Sequence, residues 1–237
     1  MTLSKIDDFP ELALPVLDLH QPTSRQIHGA LRSAILSLAI PPGTRISEAE
    51  AGARFGASRT PVREAMTQLR DEGLIVTRPS RGNYVTRLSE DAIRSAQFIR
   101  EALETAAVAR ICEAGLAPED EGRLNAALDA QRDAIETGDA RGFHAADDAF
   151  HAALVGATGF ARVRTLAARE KTALDRLRTL TLHDMDHLLR LVEEHGRILK
   201  ALRKRRGEKA RSLVVQHLSS VLGVLEGLKA EHAEYFE

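Results

Sequence analysis

The segment Ser58-Arg59-Thr60-Pro61-Val62-Arg63-Glu64-Ala65-Met66-Thr67-Gln68-Leu69-Arg70 constrains this chain more than any other. Val62, Ala65, Met66 and Leu69 recur at spacings of three and four, so they share one face of a helix. Pro61 falls in the first turn, where its missing N–H costs nothing. Ser58 or Thr60 is placed to cap that turn through its hydroxyl. Arg59, Thr60 and Arg63 crowd the N-terminal end. A helix that enters the DNA major groove presents this end to base edges and phosphates, and an arginine there can bond guanine through two hydrogen bonds. The plain alternative is an amphipathic helix with a solvated, charged start. The segment alone fits that alternative better; its surroundings shift the balance.

The net charge of -1 hides an asymmetry. Residues 21–88 carry ten Arg and five acids, a net of +5, whereas residues 1–20 and the remainder each carry -3. The basic charge therefore sits with the candidate recognition helix. At 237 residues the chain is long enough for about one or two domains. With 43% hydrophobic and 28% charged residues it is globular rather than disordered. A single cysteine, Cys112, excludes an intrachain disulfide and gives no sign of an oxidising compartment. Asp7, Asp8 and Glu11 near the start do not suit a signal peptide, and no apolar run is long enough to span a membrane. A cytoplasmic protein with no membrane partner is expected.

Residues 1–20 hold Pro10 and Pro15 with no clear period and are expected to form a flexible arm. A helix from Thr23 or Ser24 to about Leu38 follows, with Ile27, Ala30, Leu31, Ala34, Ile35 and Leu38 as its buried stripe. Pro41-Pro42-Gly43 stops it and Thr44-Arg45-Ile46 is a short extended piece. Ser47-Glu48-Ala49-Glu50 reads as a capping box opening a second helix that Gly56 terminates. After the helix at 58–70, two β-rich runs, Leu74 to Arg78 and Asn83 to Thr86, flank Pro79-Ser80-Arg81-Gly82 and predict a hairpin. Three helices and a hairpin make a winged helix-turn-helix over residues 21–88, with Arg81 and Gly82 at the wing tip. Expected contacts to double-stranded DNA are Arg45, Ser58, Arg59, Thr60, Arg63, Arg81 and Gly82.

This segment resembles the DNA-binding domain of the GntR family of bacterial transcription regulators. The resemblance rests on Leu31-Arg32-x-x-Ile35, Pro42-Gly43-x-Arg45, Ser58 to Ala65, Leu69, Glu72-Gly73-Leu74 and Gly82-x-x-Val85, in order and at the right spacing. It implies a short palindromic operator with GT and AC half-sites. One departure is Ala51-Gly52, where the family carries Leu-Ala; a mid-helix glycine is expected to cost about 0.5–1 kcal/mol relative to alanine.

Residues 89–237 read as an all-helical bundle large enough to have its own core. Helices are expected over about 90–114, 118–137, 140–157, 160–181, 185–206 and 208–232, with breakers between them that include His183-Asp184. Asp147 and His151 lie four apart and so share a helix face. His195 and His217 stand on the last two long helices. One carboxylate and three imidazoles from three helices suit a divalent ion such as Zn, Ni, Fe or Mn, and the lack of a second cysteine argues against a thiolate site. Spacing alone also allows surface or core histidines.

From about residue 89 to 232 the chain resembles the ligand-binding domain of the FadR-like branch of GntR regulators, the FCD type. Arg100-Glu101-x-Leu103-Glu104, Asp147-x-x-Phe150-His151, Glu194-His195-x-x-Ile198 and His217-Leu218 carry the resemblance; Gly159-Phe160 departs from a common Gly-Asn. The resemblance implies metal binding by Asp147, His151, His195 and His217, a role for Arg100 in holding a small carboxylate effector, and a homodimer. Arg100 could instead form a salt bridge, and Arg176 and Arg178 are further candidates to face the pocket. The function expected is that of a ligand-responsive regulator, not an enzyme. A helical metallohydrolase and an architectural DNA-binding protein are the alternatives. The first lacks His-Glu-x-x-His and a phosphate loop, and the second leaves the helical domain without a role.

Overall fold

In the computed structural model, residues 9–10, 15–18, 20–181 and 184–237 are described. Contacts divide the chain into two units, residues 1–90 with 227–237 and residues 91–226.

The first unit contains α1 (Thr23–Leu36), β1 (Arg45–Ile46), α2 (Glu48–Phe55), α3 (Arg59–Asp71), β2 (Ile75–Arg78) and β3 (Gly82–Val85). The winged helix-turn-helix is present, with one addition. β1 joins the hairpin, so the antiparallel sheet runs β1-β3-β2, with Arg45 opposite Tyr84 and Ile75 opposite Val85. The α1 stripe narrows to Ile27, Leu31 and Ile35, because the helix ends at Leu36 and Leu38 turns to a positive φ of 59°. These side chains pack with Val62, Ala65, Met66 and Leu69 of α3 and with Leu74 and Val85 of the sheet in one core. Ser47 caps α2, its side chain accepting from Glu50 N, and Gly56 closes the helix in the left-handed region at φ 60°. Ser58 holds the N-cap position of α3 but makes no side-chain cap hydrogen bond.

Gly52 has a steric reason that its propensity conceals. A Cβ there would lie 3.1 Å from the carbonyl oxygen of Ala57 in the turn leading to α3. The glycine lets α2 approach the turn closely.

Most of the expected arm, residues 1–8, 11–14 and 19, lies outside the described residues. Phe9 departs from the expectation: it is buried in the first core. Arg54 lies 4.2 Å above the Phe9 ring and donates to the Phe9 carbonyl at 2.8 Å and to that of Pro10.

The second unit is helical: α4 (Glu90–Ala114), α5 (Pro118–Thr137), α6 (Ala140–Gly156), α7 (Ala161–Thr181), α8 (Met185–Arg203) and α9 (Gly207–Gly223). The break expected at His183-Asp184 falls partly outside the described residues; Asp184 caps α8, accepting from His187 N. Asp139 caps α6 in the same way through Gly142 N. α8 stops at Arg203, and Arg205 takes a positive φ of 52° in the turn that follows. The last expected helix divides at Val224 into α9 and α10 (Leu225–Glu231). Val108, Leu124, Phe150, Leu154, Leu199, Leu202 and Val214 belong to a second core.

The chain end does not stay with the helical bundle, where the expected span of 89–237 put it. Leu88 N donates to the Tyr235 carbonyl at 2.8 Å and Glu237 N donates to the Leu88 carbonyl at 3.1 Å. This short parallel bridge buries Leu88 and Phe236.

Leu69 is fully buried against α1 and the sheet. Leu69→Ala should lower stability to urea by about 2–5 kcal/mol, whereas Leu69→Met, which conserves volume, should cost less than about 1.5 kcal/mol. Denaturation midpoints of the two variants check this.

Candidate functional site

α3 divides its faces cleanly. Its apolar side is buried, and Arg59, Thr60, Arg63, Glu64, Thr67 and Gln68 line an open groove of about 500 Å³ on the other. Ser58, Arg59, Thr60, Arg63 and Arg81 are all exposed. Arg63 lies 3.6 Å from the Glu48 carboxylate, a loose pairing for a side chain still 70% exposed. Arg45 on β1 is exposed, and its guanidinium lies against Gly82, 3.3 Å from where a Cβ would project. Gly82 has a φ of 103°, so a side chain there would be strained as well as crowded. The structure thus gathers Ser58, Arg59, Thr60 and Arg63 at the start of α3, and Arg45, Arg81 and Gly82 at the wing. Sequence reasoning did not single out Arg70, which braces the wing by donating to Asn83 and Thr77 at 3.3 and 3.4 Å.

In the helical unit, three buried imidazoles meet. His151 on α6, His195 on α8 and His217 on α9 form a group of metal-binding type. The His195 and His217 Nε2 atoms lie 3.0 Å apart, and those of His217 and His151 lie 3.2 Å apart. Each Nδ1 faces an oxygen: His151 faces Glu104 at 2.7 Å, His195 faces Gln131 at 3.1 Å and His217 faces Glu194 at 2.7 Å. A carboxylate or amide oxygen only accepts, so each Nδ1 carries the proton and donates it. Each neutral ring then presents an unprotonated Nε2 to the common centre.

Burial favours the neutral form of two of these rings. Burial pushes His151 down to about 4, and Glu104 only partly opposes it. Burial also holds His195 well below the usual range, with His217 and His151 adding to the effect. Burial pushes Glu104 up, yet His151 and Arg100 outweigh it and leave its carboxyl at about 2. Lone pairs facing one another at these distances would repel in a dry interior, and a shared cation would relieve that repulsion.

Asp147 is fully buried beside them. Its Oδ1 lies 3.7 Å from His195 Nε2 and its Oδ2 3.9 Å from His151 Nε2. Oδ1 accepts no hydrogen bond among the described residues. Oδ2 pairs with Arg178, which also donates to Asp148 at 3.3 Å. The donor set fits a divalent ion: three nitrogens fixed from behind and an adjacent carboxylate with an oxygen left over. A second group, His144, Asp148 and Asp175, closes instead on the Lys171 ammonium, 2.6 Å from Asp148 and 3.2 Å from Asp175.

A cavity of about 50 Å³ adjoins the imidazoles, with Arg100, Asp147, His151, Arg178, His187 and His217 in its wall. Arg100 both lines the cavity and forms a buried ion pair one turn along its own helix, donating to Glu104 at 3.1 and 2.9 Å. Burial, then the neighbouring Arg100, brings Arg178 down to about 9. Arg178 is therefore a pocket residue on equal footing with Arg100. Arg176 is buried, but it is not among the residues of this wall.

The residues behind the imidazoles differ in how visible they are in sequence. Glu104 lies four residues after Arg100, a spacing that flags an ion pair. Glu194 precedes His195 yet serves His217, because adjacent residues on a helix point in different directions. Gln131 carries no signal.

Together the fold and site define a transcription regulator, with a DNA-reading winged helix and a helical ligand-binding unit. The chain belongs to the GntR family. The description "Bacterial regulatory proteins, gntR family" matches residues 23–85 and "FCD domain" matches residues 97–220. It is 34% identical over 216 residues to the HTH-type transcriptional repressor RspR of Escherichia coli K12, covering 91% of this chain and 94% of that one. An HTH-type transcriptional regulator in an unstable DNA locus of Streptomyces ambofaciens is 35% identical, covering 90% of this chain and 89% of its own. The crystal structure of a GntR transcriptional regulator from Rhodococcus sp. RHA1 superposes with a TM-score of 0.73 at 25% identity, over 86% of this chain and 99% of that one.

Removing one oxygen behind the imidazoles frees a ring to turn and lowers its basicity. Glu194→Ala or Gln131→Ala should weaken zinc binding by about 10–100-fold, measured by competition with a chromophoric chelator. Zinc affinity unchanged in both variants would show that these oxygens do not orient ligands.

Proposed function

We propose that this protein is a homodimeric, ligand-responsive regulator of a short palindromic operator. Its DNA affinity is set by a small carboxylic acid in a metal-containing pocket, and it acts in the cytoplasm. The observation that carries this reading is the convergence of three Nδ1-anchored imidazoles beside a small cavity whose wall holds two of them, His151 and His217, together with Arg100 and Arg178. His151, His195, His217 and Asp147 would hold the ion. Nitrogen and carboxylate ligands admit Zn, Ni, Mn or Fe. When bound, the ion supplies positive charge and a coordination position for an effector oxygen. Arg100 and Arg178 would take the rest of the carboxylate, since a guanidinium forks onto two oxygens. Such an effector acts by binding one dimer geometry better than another. No described helix is long and apolar enough to cross a membrane.

On DNA, Arg59, Thr60 and Arg63 would read the major groove with Ser58 beside them at the start of α3, while Arg45, Arg81 and the close backbone at Gly82 position the wing. Two-fold dimers read palindromes. A dimer through the helical unit is supported by α4, where Phe98, Ile99, Ala102 and Ala106 are exposed at spacings of three and four. Apolar surface of that kind is covered in the assembled protein.

Three measurements test this reading. Arg63→Ala should cost about 1–3 kcal/mol of operator affinity at fixed salt if it reads a base; unchanged affinity for it and for Arg59→Ala sinks the DNA assignment. His195→Ala should lose metal by elemental analysis and blunt the effector response while still binding operator. A metal-free wild type from metal-replete cells with a full effector response would make the histidines simple pocket residues. Phe98→Asp should sediment as a monomer at micromolar concentration, where the wild type sediments as a dimer.

A further inference from the structure

The segment from Arg197 to Arg211 carries eight basic residues and one acid, Glu208, in a chain whose net charge is -1. Three of the eight have structural partners. Arg197 pairs with Glu193, Arg203 with Glu121 and Asn125, and Arg205 turns back to donate to the carbonyls of Cys112 and Glu113. The Arg205 contacts fix the turn between α8 and α9. The side chains of Lys200, Lys204, Arg206 and Lys209 are exposed and make no hydrogen bond or ion pair among the described residues. All four line one groove of about 360 Å³ between α8 and α9. Lys200 lies in the last turn of α8 and Lys204 is the residue that caps its C-terminal end. Arg206 precedes α9 with no side chain capping that helix, so the positive end of its dipole adds to the field.

We propose that this groove is a second, sequence-independent surface for the phosphate backbone of duplex DNA, separate from the winged helix. Four exposed cations on flexible stems suit a line of phosphates rather than an enclosed small anion, which would require buried, forked donors. The chain is already a DNA-binding protein, and tethering by the winged helix raises the local concentration of duplex at any other basic face. The surface holds the regulator on DNA flanking its operator and adds to affinity without adding to sequence choice.

Full-length wild type, the triple variant Lys204→Ala/Arg206→Ala/Lys209→Ala and the control Arg123→Ala/Arg132→Ala/Arg141→Ala are titrated by fluorescence anisotropy. The duplex has arbitrary sequence and about 40 base pairs, and salt is varied. Circular dichroism confirms folding, and Lys204→Glu/Lys209→Glu repeats the test by charge reversal. The patch variants are expected to bind less tightly, and the log–log salt slope of the triple variant is expected to become shallower by about 2–3, as for three lost phosphate contacts. In an Arg59→Ala/Arg63→Ala background, salt-sensitive binding should persist and then weaken further when the patch is removed. An equal change in the control variant, which removes the same charge elsewhere, overturns the proposal. So do an unchanged slope and a loss of affinity for inorganic tripolyphosphate without a loss for the duplex.

Discussion

The helical unit depends on one constraint: three imidazoles buried together all point the same nitrogen inward. Burial keeps His151 and His195 unprotonated. Oxygens on α4, α5 and α8 take the Nδ1 protons and settle which nitrogen is free. Remove those oxygens and a ring can flip or change tautomer, and the convergence is lost. The arrangement therefore ties five helices to one small volume, because the imidazoles and their supporting groups come from α4, α5, α6, α8 and α9.

Charge around that volume is balanced in layers. Glu104 serves His151 on one oxygen and Arg100 on the other, so one buried carboxylate both orients a metal-type ligand and holds a pocket cation. Arg178 does the converse, bridging Asp147 and the neighbouring Asp148. A buried charge without such a partner is severely destabilising, and these shared pairings explain how several ionised groups coexist there. They also place two guanidinium groups in the wall of the small cavity.

The DNA-reading unit is organised by a different economy. Its core is assembled from short elements whose apolar faces interlock, leaving the polar face of α3 wholly exposed. Gly52 and Gly82 serve this in the same way: each removes a side chain where backbone or guanidinium must come close. Arg54, holding Phe9 and Pro10 over α2, extends the core with a residue from the start of the chain.

What the sequence determined by itself was local. Helical periodicity, the capping box at Ser47 and the turn residues around Pro79 to Gly82 specify elements within a few residues of where they form, because hydrogen bonds and apolar stripes at fixed spacing are properties of neighbours. Asp147 and His151 were legible as a pair for the same reason. Only the tertiary structure decided that His195 and His217 meet His151 through the same nitrogen, that Gln131 stands behind one of them and that Glu194 serves His217 rather than its neighbour. It alone showed that β1 joins the wing sheet, that Gly52 faces a carbonyl and that Phe236 returns to Leu88. All but the Gly52 contact, which spans the short turn to α3, join residues far apart in the chain, and no spacing encodes such contacts: they follow from how the helices and strands pack.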